Sequence, residues 1–179
     1  FKTVKEQCTN ELALLQYDLQ VPELPFKRLT YTQVLEDLKA KGIDIPWGED
    51  ISSEAFRVLG ELYQGFYFVT DWPTHAKAFY IKPRSDNPEV SEGFDLMWNY
   101  IELTSGGTRI CDKNQLIERL KEKGLNPESF KMHLQAFDYG MPPHAGWAIG
   151  LERLTMMLTG IKNIREVTLY PRDRVRLTP

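Results

Sequence analysis

Apolar positions recur with two different periods along this chain. Over residues 2–16, Val4, Cys8, Leu12 and Leu15 stand at helical spacing, which predicts one amphipathic helix. Pro22 and Pro25 then predict an extended link. Thr30 followed by Gln33 reads as a capping box. It opens a helix with Val34, Leu35 and Leu38 facing inward, and Gly42 ends it. Pro46-Trp47-Gly48 reads as a turn. Ser52 or Ser53 caps a third helix, which carries Phe56, Leu59 and Tyr63 and stops at Gly65.

The period then shortens. Residues 66–70 are aromatic and β-branched and predict a strand, stopped by Asp71-Trp72-Pro73. Residues 78–82 predict a second strand, and the proline-containing stretch 83–90 a loop. Residues 94–99 and 100–105 predict two more strands with a tight turn near Asn99, so they pair antiparallel. Asp112 with Gln115 is a second capping box, for a helix carrying Leu116, Ile117 and Leu120 to Gly124. Asn126-Pro127 starts another, with Phe130, Leu134 and Phe137 on its core face. After Met141-Pro142-Pro143, residues 146–158 read GWAIGLERLTMML. That is a short strand, a tight junction, and a helix with Leu151, Leu154, Met157 and Leu158 on one face. Residues 164–169 predict a last short strand. With no internal repeat, the prediction is one α+β domain over residues 1–179, an antiparallel β-sheet flanked by helices.

Composition removes several function classes. The net charge of −3 gives no global attraction to nucleic acid, so any such contact is local. No apolar run approaches the ~20 residues of a membrane span, and no signal-peptide pattern is present. Cys8 and Cys111 are too few for a disulfide framework and fit a reducing, cytoplasmic setting. The chain opens on Phe-Lys-Thr, already in helical pattern, and is expected to be the C-terminal part of a longer polypeptide. There is no H-x-x-H, C-x-x-C or G-x-S-x-G, which argues against zinc, redox and serine-hydrolase chemistry.

Two stretches carry candidate chemistry. At the Gly150 junction a helix N-terminus suits an anion, and Arg153 in its first turn adds a forked donor. The same pattern also reads as an ordinary strand and helix with Arg153 solvated. The second stretch is FDLMWNYIELTSGGTR, residues 94–109. A hairpin can bring Asp95 and Glu102 onto neighbouring strands, and such oxygen ligands suit Mg²⁺. Ser105 adds a neutral oxygen, Gly106-Gly107 close backbone approach, and Arg109 a fork for a carboxylate. The plain alternative is a solvated strand edge with a surface arginine. His144 reads equally as substrate-facing or loop-ordering, while His75 and His133 show no ligand pattern.

G-W-A-I-G-L-E-R-L resembles the third signature motif of class II aminoacyl-tRNA synthetases. MPPHAG and LYPRDRVRLTP resemble the aspartyl branch in its archaeal and eukaryotic form, and E-x-x-S-G-G-x-R is similar to that branch's metal-, ATP- and amino-acid-binding segment. The resemblance spans essentially the whole chain, as the second half of a catalytic domain. It implies that Glu102 and Ser105 ligate Mg²⁺ on the ATP phosphates, with Asp95 assisting. It implies that Ser105 and Arg109 bind L-aspartate, Arg109 through the side-chain carboxylate. Gly150, Leu151, Glu152 and Arg153 would line the ATP site together with Glu102, with Arg153 on the γ-phosphate; Arg153 and Glu102 would be the catalytic pair. The implied reaction activates aspartate as its adenylate and transfers it to tRNA(Asp), with tRNA(Asn) open as a second acceptor, in a cytoplasmic homodimer. The first two signature motifs and an anticodon-binding OB-fold are not in this sequence, so the isolated chain is expected to be inactive. The alternatives are a paralog of the same fold: an asparaginyl-tRNA synthetase relative, an adenylate-forming asparagine synthetase, or a non-catalytic binding module.

Overall fold

The computed structural model describes residues 1–178; Pro179, the last residue of LYPRDRVRLTP, lies outside them. The chain forms two compact units, Lys27–Ala148 and Phe1–Phe26 with Ile149–Pro179.

The larger unit is built on a five-stranded sheet in the order β1 (Lys27–Thr30), β2 (Phe66–Thr70), β3 (Gly93–Trp98), β4 (Ile101–Thr108), β5 (Ala145–Ile149). The second unit's boundary falls at the last residue of β5. β2, β3 and β4 are antiparallel as expected, but β1 runs parallel to β2, so the sheet is mixed. β1 lies where the prolines predicted only a link, and its four residues are too few to show an alternation.

One face of the sheet carries the core. Tyr67, Val69 and Met97 point to the side where α3 (Tyr31–Ala40) supplies Val34 and Leu38, and α4 (Ser53–Leu62) supplies Leu59. Both helices start where their caps dictate. The Thr30 side chain accepts from Gln33 N at 3.2 Å while the Gln33 side chain accepts from Thr30 N at 2.9 Å. Ser52 Oγ accepts from Ala55 N at 3.2 Å. A second core joins Ile110, just after β4, to Leu116 and Leu120 of α5 (Lys113–Glu122) and Leu134 of α6 (Lys131–Asp138), with Phe79, Phe130 and Phe137 against it. Asp112 caps α5 through Gln115 N at 2.7 Å. A 3-10 turn, Pro127–Phe130, precedes α6.

The β3–β4 turn is where several constraints meet. Asn99 takes φ +51°, a left-handed conformation that asparagine tolerates. Its side chain accepts from Gly65 N at 2.7 Å, its N–H donates to Gly65 O at 2.8 Å, and its carbonyl accepts from the Tyr67 hydroxyl at 2.8 Å.

Three sequence expectations are corrected. Residues 2–16 are two short helices, α1 (Lys2–Gln7) and α2 (Thr9–Leu14), broken at Cys8, and Leu12 alone of the predicted stripe is buried. Residues 78–82 form turns, and only Ile81 bridges, to Arg109. Residues 164–167 are a 3-10 helix rather than a strand, because Asn163 accepts from Arg165 N at 3.2 Å and bends the backbone.

In the smaller unit, α7 (Leu151–Thr159) buries Met156 and Met157, while Leu151, expected inward, is 70% exposed. The Tyr17 hydroxyl donates to Met157 O at 3.3 Å, and its ring lies against Gly160. Asp173 of the PRD segment accepts from the N–H groups of Val175 and Arg176 and pairs with Arg165 at 2.7 Å. Those backbone donors, with Arg165, hold its carboxyl below the usual carboxylate range. No helix among the described residues is long and apolar enough to cross a membrane.

Glycine to alanine inside a helix normally stabilises by about 0.5–1 kcal/mol. At Gly60 the sign reverses, because a Cβ would lie 2.8 Å from Tyr100 N and 2.9 Å from the Asn99 carbonyl carbon, both backbone. Gly60→Ala is expected to cost about 1–3 kcal/mol, read by denaturant unfolding.

Candidate active site

The candidate residues of the larger unit gather on the β3–β4 ladder. Asp95 stands opposite Ser105 and Gly93 opposite Gly107, while Met97 stands opposite Glu102. The register shifts between Leu96 and Met97, so Leu103 is an extra residue in β4. This bulge answers a difficulty in the sequence. Residues three apart on an unbroken strand face opposite sides. With the bulge, Glu102 stands opposite Met97 and Ser105 opposite Asp95, although Glu102 is exposed where Met97 and Leu103 are buried. Ser105 and Gly107 therefore share the face of Asp95, and Arg109 follows them by the same period.

Each of these groups has its own surroundings. Glu102 is exposed and Ser105 half-buried. Asp95 is buried, and its Oδ2 accepts from Lys77 Nζ at 2.5 Å. Its Oδ1 is sealed from solvent and has no hydrogen-bond partner. Asp95 is thus closed in a way that Glu102 and Ser105 are not. Gly106 and Gly107 admit neighbouring strands: a Cβ at Gly106 would lie 2.8 Å from Gly146 O, and one at Gly107 2.7 Å from Glu92 O.

Arg109 is held from three directions. Its N–H donates to His144 O at 2.9 Å, and its guanidinium lies 4.5 Å from the centre of the Tyr80 ring. A Cβ on Gly146 would sit 2.8 Å from Arg109 Nη2, the far end of a flexible side chain. Among the described residues no carboxylate pairs with this guanidinium. It borders a cavity of about 440 Å³ walled by Phe79, Tyr80, Phe130, Phe137 and His144. His144 Nδ1 is 2.9 Å from Pro142 O, the loop-ordering role. His75 Nε2 is 2.8 Å from Gly48 O, and His133 meets the Phe137 ring edge-on.

Gly150, Leu151, Glu152 and Arg153 lie in the smaller unit, at the start of α7. Gly150 is the N-cap residue and supplies no side-chain cap bond; Glu152 stands in the first turn. Lys77 and Tyr80 were missed by the sequence reading. Tyr80 lay in a stretch read as a strand and Lys77 just before it, and their partners lie far along the chain.

The oxygen donors Glu102 and Ser105 fit Mg²⁺, which usually binds through one or two protein ligands plus waters and substrate phosphates. Among the described residues there is no group of three or more His, Cys, Asp or Glu that could hold a metal unaided.

A family profile described as class II tRNA synthetases (D, K and N) matches residues 1–174. The chain belongs to that family. It is 51% identical over 179 residues to an aspartate–tRNA(Asp/Asn) ligase of Archaeoglobus fulgidus, covering 100% of this chain and 42% of the relative. It is 49% identical over 165 residues to an aspartate–tRNA(Asp) ligase of Thermoplasma acidophilum, covering 92% of this chain and 39% of the relative. The chain thus spans well under two thirds of these relatives. The aspartyl-tRNA synthetase of Entamoeba histolytica superposes with a TM-score of 0.90 at 38% identity, covering 99% of this chain and 38% of that one. The asparaginyl-tRNA synthetase of Pyrococcus horikoshii complexed with asparaginyl-adenylate gives 0.91 at 32%, covering 99% and 42%. The class II synthetase fold expected from the sequence is therefore present.

The two glycines beside Trp147 and Arg109 separate fold from site. At Gly106 a Cβ meets backbone, so Gly106→Ala should cost about 1–3 kcal/mol in denaturant unfolding. At Gly146 it meets the flexible end of Arg109. Gly146→Ala should change stability by under about 0.5 kcal/mol in the same measurement, the guanidinium moving aside.

Proposed function

We propose that this chain is the part of an aspartate–tRNA ligase that carries the third signature motif and the strand meeting metal and amino acid. The protein activates L-aspartate with ATP and transfers it to tRNA(Asp), with tRNA(Asn) as a second acceptor. The observation that carries this reading is Arg109: a guanidinium that pairs with no carboxylate among the described residues, stacked on Tyr80 and beside Gly146. A half-buried cation of that kind favours a carboxylate ligand.

Each residue has a task in this reading. Arg109 grips the aspartate side-chain carboxylate, and Ser105 touches the amino acid. Glu102 and Ser105 hold Mg²⁺ together with ATP oxygens, and Asp95 supports them from its buried place. When bound, the ion supplies positive charge against the phosphate oxygens. In the other unit, the first-turn N–H groups of α7 after Gly150 and the Arg153 fork suit the phosphates, with Leu151 and Glu152 beside them. Arg153 meets the γ-phosphate.

The substrate is its own nucleophile. An α-carboxylate oxygen of aspartate bonds to the α-phosphorus of ATP, the bond to the bridging oxygen breaks, and pyrophosphate leaves. The adenylate's acyl group then passes to the terminal adenosine of tRNA, releasing AMP. The residues contribute positioning and charge stabilisation rather than a covalent intermediate. A longer polypeptide supplies the other two signature motifs, the anticodon-binding OB-fold and the interface of a cytoplasmic homodimer. Asparagine as substrate is the second reading, because the asparaginyl enzyme superposes equally well.

Amino-acid-dependent pyrophosphate exchange by the intact natural protein, followed by tRNA charging, tests this. Exchange with aspartate and charging of tRNA(Asp) are expected; exchange with asparagine alone, or none, overturns it. Arg109→Ala should lose aspartate use, and Arg153→Ala ATP use, by about tenfold or more, since a charged hydrogen bond is worth about 1.5–3 kcal/mol. Wild-type aspartate kinetics in Arg109→Ala would remove that assignment.

A further inference from the structure

The reaction as derived gives no task to Lys77. Its ammonium donates to Asp95 Oδ2 at 2.5 Å and lies 4.5 Å from the centre of the Trp72 ring. The side chains of the pair are only 15% and 5% exposed. The lysine stem passes over Gly93, where a Cβ would sit 3.4 Å from Lys77 Cγ. Gly93 and Asp95 face Gly107 and Ser105 across the ladder. The pair therefore sits against the strand segment that presents the candidate ligands.

We propose that Lys77 is a positioning residue of this site: by fixing the Asp95 carboxylate across the ladder from Ser105, it sets where the Ser105 and Glu102 oxygens meet a metal-bound nucleotide. This rests on the reading that those two residues hold Mg²⁺ with ATP.

Three observations support it. A buried ion pair gives the fold little that well-packed apolar side chains would not give. The pair also leaves Asp95 Oδ1 buried without a partner, a cost that stability alone does not explain. And the carboxylate lies one strand away from Ser105, on the same face, where groups behind a metal ligand are commonly found holding it in place.

The test is binding of Mn²⁺ with ATP to the intact natural protein, read by electron paramagnetic resonance, with denaturant unfolding of each variant. Lys77→Met should weaken Mn²⁺ binding about tenfold or more, the range for groups behind a metal ligand, whereas Lys77→Arg should stay within about threefold of wild type. Lys77→Met combined with Asp95→Leu removes both charges. It should regain stability but not affinity, and it carries the test if Lys77→Met does not fold. Wild-type affinity in the double variant, or in a folded Lys77→Met, overturns the proposal. Glu102→Gln reports on the underlying reading. Unchanged affinity there removes that reading, whereas loss there with an unaffected Lys77→Met removes only the role of Lys77.

Discussion

The register of β4 against β3 decides which side chains of this sheet can act together. A strand displaced by one residue turns every side chain to the other face. Here the register is pinned at both ends. Asn99 and Gly65 exchange two hydrogen bonds at the turn, and Gly60 of α4 lies against the backbone of the next residue. At the far end Gly107 lies against Glu92 O, closer than any side chain would permit. Between these points the strand takes up one extra residue, Leu103, so that Glu102 stands opposite Met97 and Ser105 opposite Asp95. Spacing in the sequence and spacing in the site thus differ by a bulge, which the turn and the glycines hold in place.

Close approach recurs across the site and has one physical reason. A guanidinium, a strand and an aromatic ring must share a small volume without a side chain between them. Gly146 admits Arg109, and Gly93 admits the stem of Lys77. Gly106 and Gly107, which read in the sequence as points of close backbone approach, lie against the protein's own backbone.

Local signals were the legible part of the fold. The Thr30 capping box, the Ser52 cap, the Asp112 cap and the Asn99 turn each depend on residues within a few positions, and each is found where the sequence put it. What failed depends on distant partners. β1 is a strand because β2 lies beside it, not because Lys-Arg-Leu-Thr alternates. Phe79-Tyr80-Ile81 looked like a strand, yet its rings fill a second core and support Arg109. Glu102, Ser105 and Arg109 were legible through the spacing of one motif. Lys77 was not, because its partner lies 18 residues on.

In the proposed reading, selectivity between aspartate and asparagine rests on charge rather than fold. The sheet superposes on aspartyl and asparaginyl enzymes alike, with TM-scores of 0.90 and 0.91. An arginine can pair with a carboxylate or donate to an amide oxygen. The two cases differ in what is left over. If Arg109 meets the substrate side chain as proposed, a carboxylate would neutralise its guanidinium in its half-buried place, whereas an amide would leave that charge uncompensated against Tyr80. A neighbouring carboxylate could reverse this balance, but the buried carboxylate on this face, Asp95, is already neutralised by Lys77. The ion pair proposed to brace the ladder would therefore leave Arg109 as the cation that an acidic side chain meets.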